Sequence, residues 1–365
     1  MTNLQSRTLD VARFPLAVMV VFIHAYYDYG DFSELMHTST SLFFYENIRI
    51  LFSKILPHIA VPLFYIISGY LFFISFKGKW NFLLWKKKMG RRFWTLLIPY
   101  LIWNIIPIIV YCCSVLIGLV IHHKSFNGFG EYFENCLSLH IFLDFTTKDG
   151  VAYPLNTPLW FIRDLMFNLC ISPLIFFTCK IFRTWAFFFF ISYYVLGWEF
   201  IVLPVVYFRA VIFFFIGAYF GINEKNLVEI IRPFTPYCFI VCGITVLISL
   251  LLYNTFWGWY FYRIYIVSGI ISFLSLIVLL INKKPSFALP KVLVNSTFFI
   301  FAAHLGLPLL SYIRKAIELV IPNSNYWWMI LHYFLAPICL VCCCLFIYLL
   351  LLRFLPRTTK VICGR

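Results

Sequence analysis

Val11-Ala12-Arg13-Phe14-Pro15-Leu16-Ala17-Val18-Met19-Val20-Val21-Phe22-Ile23-His24-Ala25-Tyr26-Tyr27-Asp28-Tyr29 is long and apolar enough to cross a bilayer as one helix. It nevertheless carries a guanidinium and an imidazole, Arg13 and His24. Working outward, the chain of 365 residues is 63% hydrophobic and 12% charged, with mean hydropathy +0.91. Soluble domains carry about 25% charged residues, so this apolar surplus cannot be hidden inside one globule and lipid must solvate much of it. Forty-four Phe and 23 Tyr suit helix surfaces that meet acyl chains and headgroups. The expected fold is all-α, a polytopic transmembrane helical bundle.

At about 20 apolar residues per crossing, the chain divides into about ten spans. They fall near 11–29, 55–76, 95–122, 159–179, 185–198, 202–222, 234–254, 259–281, 292–313 and 326–355. Net charge is +15, and the basic residues sit in short connections between apolar runs. Lys77, Lys79, Lys86, Lys87, Lys88, Arg91 and Arg92 follow the second span, and Lys180, Arg183, Lys225, Arg232, Lys283, Lys284 and Lys291 follow later even spans. The alternate connections are acidic or mixed, with Asp28, Asp31, Glu34 and Glu46, then Glu131, Glu134, Asp144 and Asp149. The positive-inside rule then places both termini in the cytoplasm. The charge is topological signalling, and no nucleic-acid partner is expected. No cleavable leader is visible, so the first span is expected to stay as an anchor. The whole of 1–365 reads as one integral cell-membrane (inner or plasma) domain with no appended soluble domain. The longest outer connections, 30–54 and 123–158, are long enough to wrap a polar ligand. The 12 cysteines lie mostly within apolar runs, and Cys339 and Cys342 read as packing residues. No disulfide framework, no metal site and no permanently bound cofactor are expected.

Ionisable residues inside spans are costly and mark function by default. Asp10 and Arg13 are three apart and can pair. Arg13 and His24 are eleven apart, which brings them within roughly 20° of one helix face, separated by roughly 16 Å along the axis. A guanidinium suits a phosphate or carboxylate, and a neutral imidazole can take the proton of an attacking hydroxyl. The bland alternative has Arg13 snorkelling to headgroups and His24 as a satisfied polar residue. Arg91 and Arg92 add to a cytoplasmic anion site. Arg163-Asp164 reads as an ion pair at the outer end of the fourth span, while Arg209, inside the sixth, has no local partner in sequence. His304 reads as a packing or hydrogen-bonding histidine rather than a second base.

These motifs together resemble the membrane acyltransferase-3 family, which O-acylates extracytoplasmic sugars and related acceptors. Leu9-Asp10-Val11-Ala12-Arg13 with Phe22-Ile23-His24 is similar to its opening arginine, ten residues and histidine. Val61-Pro62-Leu63-Phe64-Tyr65-Ile66-Ile67-Ser68-Gly69-Tyr70, Lys86 to Phe93 with Pro99-Tyr100, and Pro158-Leu159-Trp160-Phe161-Ile162-Arg163-Asp164-Leu165 follow in the family's order. Phe215-Ile216-Gly217-Ala218-Tyr219-Phe220-Gly221 and Ser296-Thr297-Phe298-Phe299-Ile300-Phe301-Ala302-Ala303-His304 complete it, with Phe298 and Phe301 where the family often has Tyr. The resemblance implies a cytoplasmic acyl-CoA donor, acetyl-CoA first, and an extracytoplasmic glycan or lipid-linked sugar acceptor. On that reading Arg13, Arg91 and Arg92 hold the donor's anionic part and Asp10 orients Arg13. His24 is the general base, or alternatively a nucleophile. Ser68, Trp160, Arg163, Asp164 and Arg209 are candidates for the acceptor and oxyanion sites. The rival readings are a secondary transporter or flippase for a glycan intermediate or anion, and a non-catalytic subunit of an envelope complex.

Overall fold

The computed structural model describes residues 2–26, 40–122, 154–198, 206–321 and 326–365. The acidic residues Asp28, Asp31, Glu34, Glu131, Glu134, Asp144 and Asp149, and the centres of both long outer connections, lie outside them. Among the described residues every regular element is helical. In chain order these are α1 (Asn3–Ile23), α2 (Thr40–Arg49), α3 (Ala60–Phe73), α4 (Phe82–Arg92), α5 (Ile98–His122), α6 (Trp160–Cys170) and α7 (Ser172–Leu196). There follow α8 (Phe208–Ile222), α9 (Leu227–Ile231), α10 (Thr235–Leu251), α11 (Phe256–Lys283), α12 (Lys291–Gly306), α13 (Leu309–Val320), α14 (Tyr326–Phe354) and α15 (Pro356–Ile362).

Among the described residues, six helical stretches are long and apolar enough to cross a membrane: Leu42–Phe76, Phe82–Val115, Ser172–Leu196, Leu227–Leu251, Phe256–Lys283 and Trp327–Phe354. α12 and α13, bent by 74° at Leu307-Pro308, make a seventh if taken as one span, and α8 is a shorter apolar helix. The protein is therefore an integral-membrane helical bundle. α1 runs through its middle against α12, α11 and α3, with Ala12, Leu16, Ala17 and Val21 fully buried.

Several boundaries differ from the hydropathy reading, each for a physical reason. α1 begins at Asn3 rather than near 11, because the Thr2 hydroxyl caps it by accepting from Gln5 N at 3.4 Å. It also stops at Ile23, so His24 sits at its C-terminal cap instead of inside a longer helix. The second stretch starts at Leu42 instead of 55. Its charges are tolerated because Arg49 pairs with Glu46 at 2.8 Å, one turn back, and Glu46 accepts from the Tyr26 hydroxyl at 2.5 Å. Half of the expected outer connection 30–54 is thus helix. The expected fourth and fifth spans fall on α6 and α7, broken at Ile171, just before Ser172-Pro173, and at Arg183, whose backbone leaves the helix (φ 47°, ψ −127°).

The basic connections gather at one end of the bundle. Arg7 donates to the Phe287 carbonyl at 2.9 Å, Asn226 to Thr2 Oγ1 at 3.1 Å, and Arg365 to the Asn295 carbonyl at 2.7 Å. Lys88 donates to the Phe72 carbonyl. Both ends of the chain and the connections after α3, α8 and α11 therefore share this end, as charge alternation requires. The closest helix pair is α3 against α8, which run side by side from the basic end towards the middle of the bundle. Gly217 lies directly on the Ile66 backbone and Gly69 on the Phe214 carbonyl. A Cβ at Gly221 would stand 2.7 Å from the Tyr70 carbonyl. Small residues allow this backbone approach in a membrane, where no hydrophobic force drives helices together.

Candidate active site

The last turn of α1 is held by its neighbours. Ser53 Oγ donates to the Phe22 carbonyl at 2.7 Å and lies 2.6 Å from the Tyr333 hydroxyl. This anchors the cap residue, His24, whose ring stands 5.1 Å, centroid to centroid, from the ring of His304 on α12. His304 is fully buried. Its Nδ1 lies 2.8 Å from the Phe301 carbonyl and 3.2 Å from that of Ile300. Carbonyl oxygens only accept, so Nδ1 carries the proton and Nε2 is left as the acceptor nitrogen. Nε2 is buried with no hydrogen-bond partner among the described residues.

His24 opens on a cavity of about 250 Å³ at the end opposite the basic connections. Its polar groups come from seven segments: His24 at the end of α1, His58 in the turn before α3, Tyr65 on α3, Trp160 on α6, Tyr194 on α7, Tyr207 and Arg209 at the start of α8, and Tyr262 on α11. Val20, Val61, Phe213, Ile266 and Phe301 make the apolar wall. Ligand pockets usually span about 300–1,000 Å³, so this space admits the reacting ends of two substrates rather than a whole cofactor or polymer. Trp160 and Tyr207 meet edge to face at 5.1 Å, the Arg209 guanidinium lies 5.7 Å from the Tyr207 ring, and no carboxylate is among the described lining residues.

The structure divides the residues singled out in the sequence into three groups. His24, Trp160 and Arg209 share the cavity. Arg163 and Asp164 are off it, forming a buried ion pair at 3.0 Å. The second carboxylate oxygen of Asp164 accepts from Tyr207 N at 3.1 Å, so this pair fixes the backbone from which Tyr207 and Arg209 enter the cavity. Ser68 is half-buried on α3 and does not line it. Arg13, Arg91 and Arg92 gather at the basic end, where Arg92 feels both other charges. Arg13 pairs with Asp10 at 3.4 Å, with side chains 37% and 51% exposed; so exposed a pair contributes little stability and leaves Arg13 accessible. Arg92 lines a second, mostly apolar cavity of about 390 Å³ with Met89, Phe93, Leu97, Met166 and Cys170. The two cavities have no lining residue in common, and on α1 the fully buried Leu16 and Ala17 separate Arg13 from the His24 cavity.

Sequence reasoning missed His58, Tyr262 and Asn156. His58 stands in Leu56-Pro57-His58-Ile59, a tight 3₁₀ turn at the head of α3, and its Nδ1 is 2.5 Å from the Tyr262 hydroxyl. A histidine beside a proline where an apolar run begins was the available signal. Asn156 is buried and donates to the carbonyls of Trp103 and Ala302 at 3.1 and 3.0 Å. It ties α5 to α12 two residues before Pro158, at the cavity wall.

A helical membrane bundle thus encloses a tyrosine-lined cavity shared by His24 and His58, with the His304 ring behind His24. Residues 7–349 match the acyltransferase domain of the acyltransferase-3 family, and the chain belongs to that family. It is an integral-membrane member of that family. Over 174 residues it is 29% identical to the succinoglycan biosynthesis protein ExoH of Rhizobium meliloti (strain 1021). That stretch is 47% of this chain and 42% of the relative, so less than half of either protein is compared. No solved structure matches the chain.

Proposed function

We propose that this enzyme takes an acyl group, acetyl in the first instance, from acyl-CoA at its basic end and delivers it to a glycan hydroxyl at the other end. The observation that carries this is the placement of His24, backed by the buried His304 ring, on a cavity at the far end of the bundle from the Arg13–Arg92 cluster. Positive-inside logic puts that cluster in the cytoplasm, where CoA thioesters are found, with ten crossings and both termini inside. Arg13, Arg91 and Arg92 receive the donor's phosphates, and the acyl group reaches His24 once the two cavities, separate in this structure, open to one another.

In the transfer step the acceptor hydroxyl attacks the thioester carbon while His24 takes its proton. The tetrahedral intermediate then expels the CoA sulfur, which receives that proton, leaving an ester and free CoA thiol. In that step a His24 N–H turns to the neighbouring His304 Nε2, which has no other partner among the described residues and orients the base. The named relative belongs to succinoglycan biosynthesis, which supports a polysaccharide or its lipid-linked precursor as the acceptor class. Trp160, Tyr207 and Tyr262 offer flat apolar faces with polar edges that suit a sugar ring.

The test uses the purified protein in proteoliposomes with radiolabelled acetyl-CoA and polysaccharide from host cells lacking the gene. Label should enter an alkali-labile ester on the polysaccharide. Uptake or release of glycan without ester formation would contradict the proposal.

A further inference from the structure

We propose that His58 is a further catalytic residue, the hydrogen-bond donor that stabilises the oxyanion of the tetrahedral intermediate; this rests on the acyl-transfer reading above. His24 alone supplies a base, and acyl transfer also needs a donor aimed at the charge that develops on the carbonyl oxygen.

His58 is built into the cavity by α11. Tyr265 donates to the Leu56 carbonyl at 2.7 Å, and Tyr262, three residues earlier on the same helix face, reaches His58 Nδ1 at 2.5 Å. One face of α11 thus grips both the turn's backbone and its histidine, while Ile59 packs close to Gly269, another turn along that helix. A phenol is the better proton donor of this pair and an imidazole nitrogen the better acceptor. The Tyr262 hydroxyl therefore donates to Nδ1, which fixes the neutral tautomer with its proton on Nε2. Nε2 is buried and makes no hydrogen bond of ordinary geometry among the described residues, although the ring lies near the Ser53 carbonyl, lines the same cavity as His24 and lies within its electrostatic reach. A buried N–H without a partner is costly, and in this cavity a ligand oxygen is the partner that removes the cost.

In the step, the acceptor oxygen bonds to the thioester carbon, its proton moves to His24, and the carbonyl electron pair moves onto oxygen. His58 Nε2–H donates to that oxygen without giving up its proton. Collapse restores the carbonyl and releases the thiol with the proton from His24, so His58 ends as it began.

Three variants test this in the same proteoliposomes, with acetyl-CoA and polysaccharide from cells lacking the gene. His58→Ala should lower kcat by about 10²–10³-fold, with KM for acetyl-CoA within about twofold and an apparent melting temperature close to wild type. His58→Gln keeps an N–H donor but no basic nitrogen, and should recover about tenfold or more of the lost kcat. Tyr262→Phe releases the tautomer and should fall between. Should His58→Ala fail to fold, the Gln and Phe variants carry the test. A His58→Ala kcat within about threefold of wild type overturns the proposal. So does a folded His58→Gln variant as inactive as a folded His58→Ala, since that pattern belongs to a base or a packing residue. A wild-type protein that forms no ester overturns the acyl-transfer reading itself.

Discussion

Replacing Gly217 by Ala sets two opposed effects against each other on one helix. Alanine is favoured over glycine in a helix interior by about 1 kcal/mol. At Gly217, however, the added Cβ would stand 2.7 Å from the Ile66 carbonyl carbon and 2.8 Å from its Cα. Carbon atoms in ordinary contact sit about 3.5–4.0 Å apart, so α8 must retreat from α3 by roughly 1 Å. Overpacking of this kind costs about 1–3 kcal/mol and outweighs or cancels the propensity gain. Gly243, in the middle of α10, is the internal control, because a Cβ there meets nothing within 4 Å. Gly243→Ala keeps the full gain. The two variants should differ by about 1–3 kcal/mol, which in a chain of this size is on the order of 2–6 °C in apparent melting temperature. Thermal scanning in detergent reads the difference. Since α8 also carries Tyr207 and Arg209 into the His24 cavity, Gly217→Ala should lose up to about 10²-fold in acyl transfer, the scale of a 1 Å misplacement. Equal melting temperatures for the two variants would refute the claim that backbone contact at Gly217 sets the α3–α8 distance.

Other expectations concern charge. Asp164→Ala withdraws the carboxylate from a buried guanidinium and should destabilise by about 3–5 kcal/mol, read as a large fall in melting temperature. Asp164→Asn keeps an acceptor for Tyr207 N and should cost less; equal losses would mean that the Tyr207 contact adds nothing. Arg92→Ala should raise KM for acyl-CoA by roughly tenfold or more, on the scale of about 1.5–3 kcal/mol for a charge-assisted hydrogen bond, with kcat little changed. A fall in kcat alone would move Arg92 out of donor binding. A green fluorescent protein fused after Arg365 should fluoresce in a bacterial host, whereas an active alkaline phosphatase fusion there would reverse the orientation.

What the sequence could disclose was what is local. The face shared by Arg13 and His24 follows from helical periodicity, and the basic end follows from the positions of Lys77 to Arg92 and the later loop cations. The N-terminal start of α1 was also legible, since Thr2-Asn3-Leu4-Gln5 has the spacing of a capping box; hydropathy alone passes over it because Arg7, Asp10 and Arg13 follow. The packing role of Gly217 was visible as a run of small residues, but its partner Ile66 was not. The His24–His304 and His58–Tyr262 pairs join residues more than 200 positions apart, and no local pattern encodes such a meeting. Arg163-Asp164 shows the opposite failure. Adjacent opposite charges suggested a substrate site or an interfacial pair, whereas the fold buries them to hold Tyr207 N. Only the placement of α8 over α6 decides between those uses.

The central claim is that His24 performs the proton transfer in a reaction that makes an ester. Its most direct measurement is the initial rate of radiolabelled acetyl transfer by His24→Ala beside wild type, at matched protein and confirmed membrane insertion. Removal of a general base costs about 10²–10⁴-fold, so the variant should fall at least a hundredfold while keeping its melting temperature. A variant that transfers acetyl at more than a tenth of the wild-type rate would contradict the account.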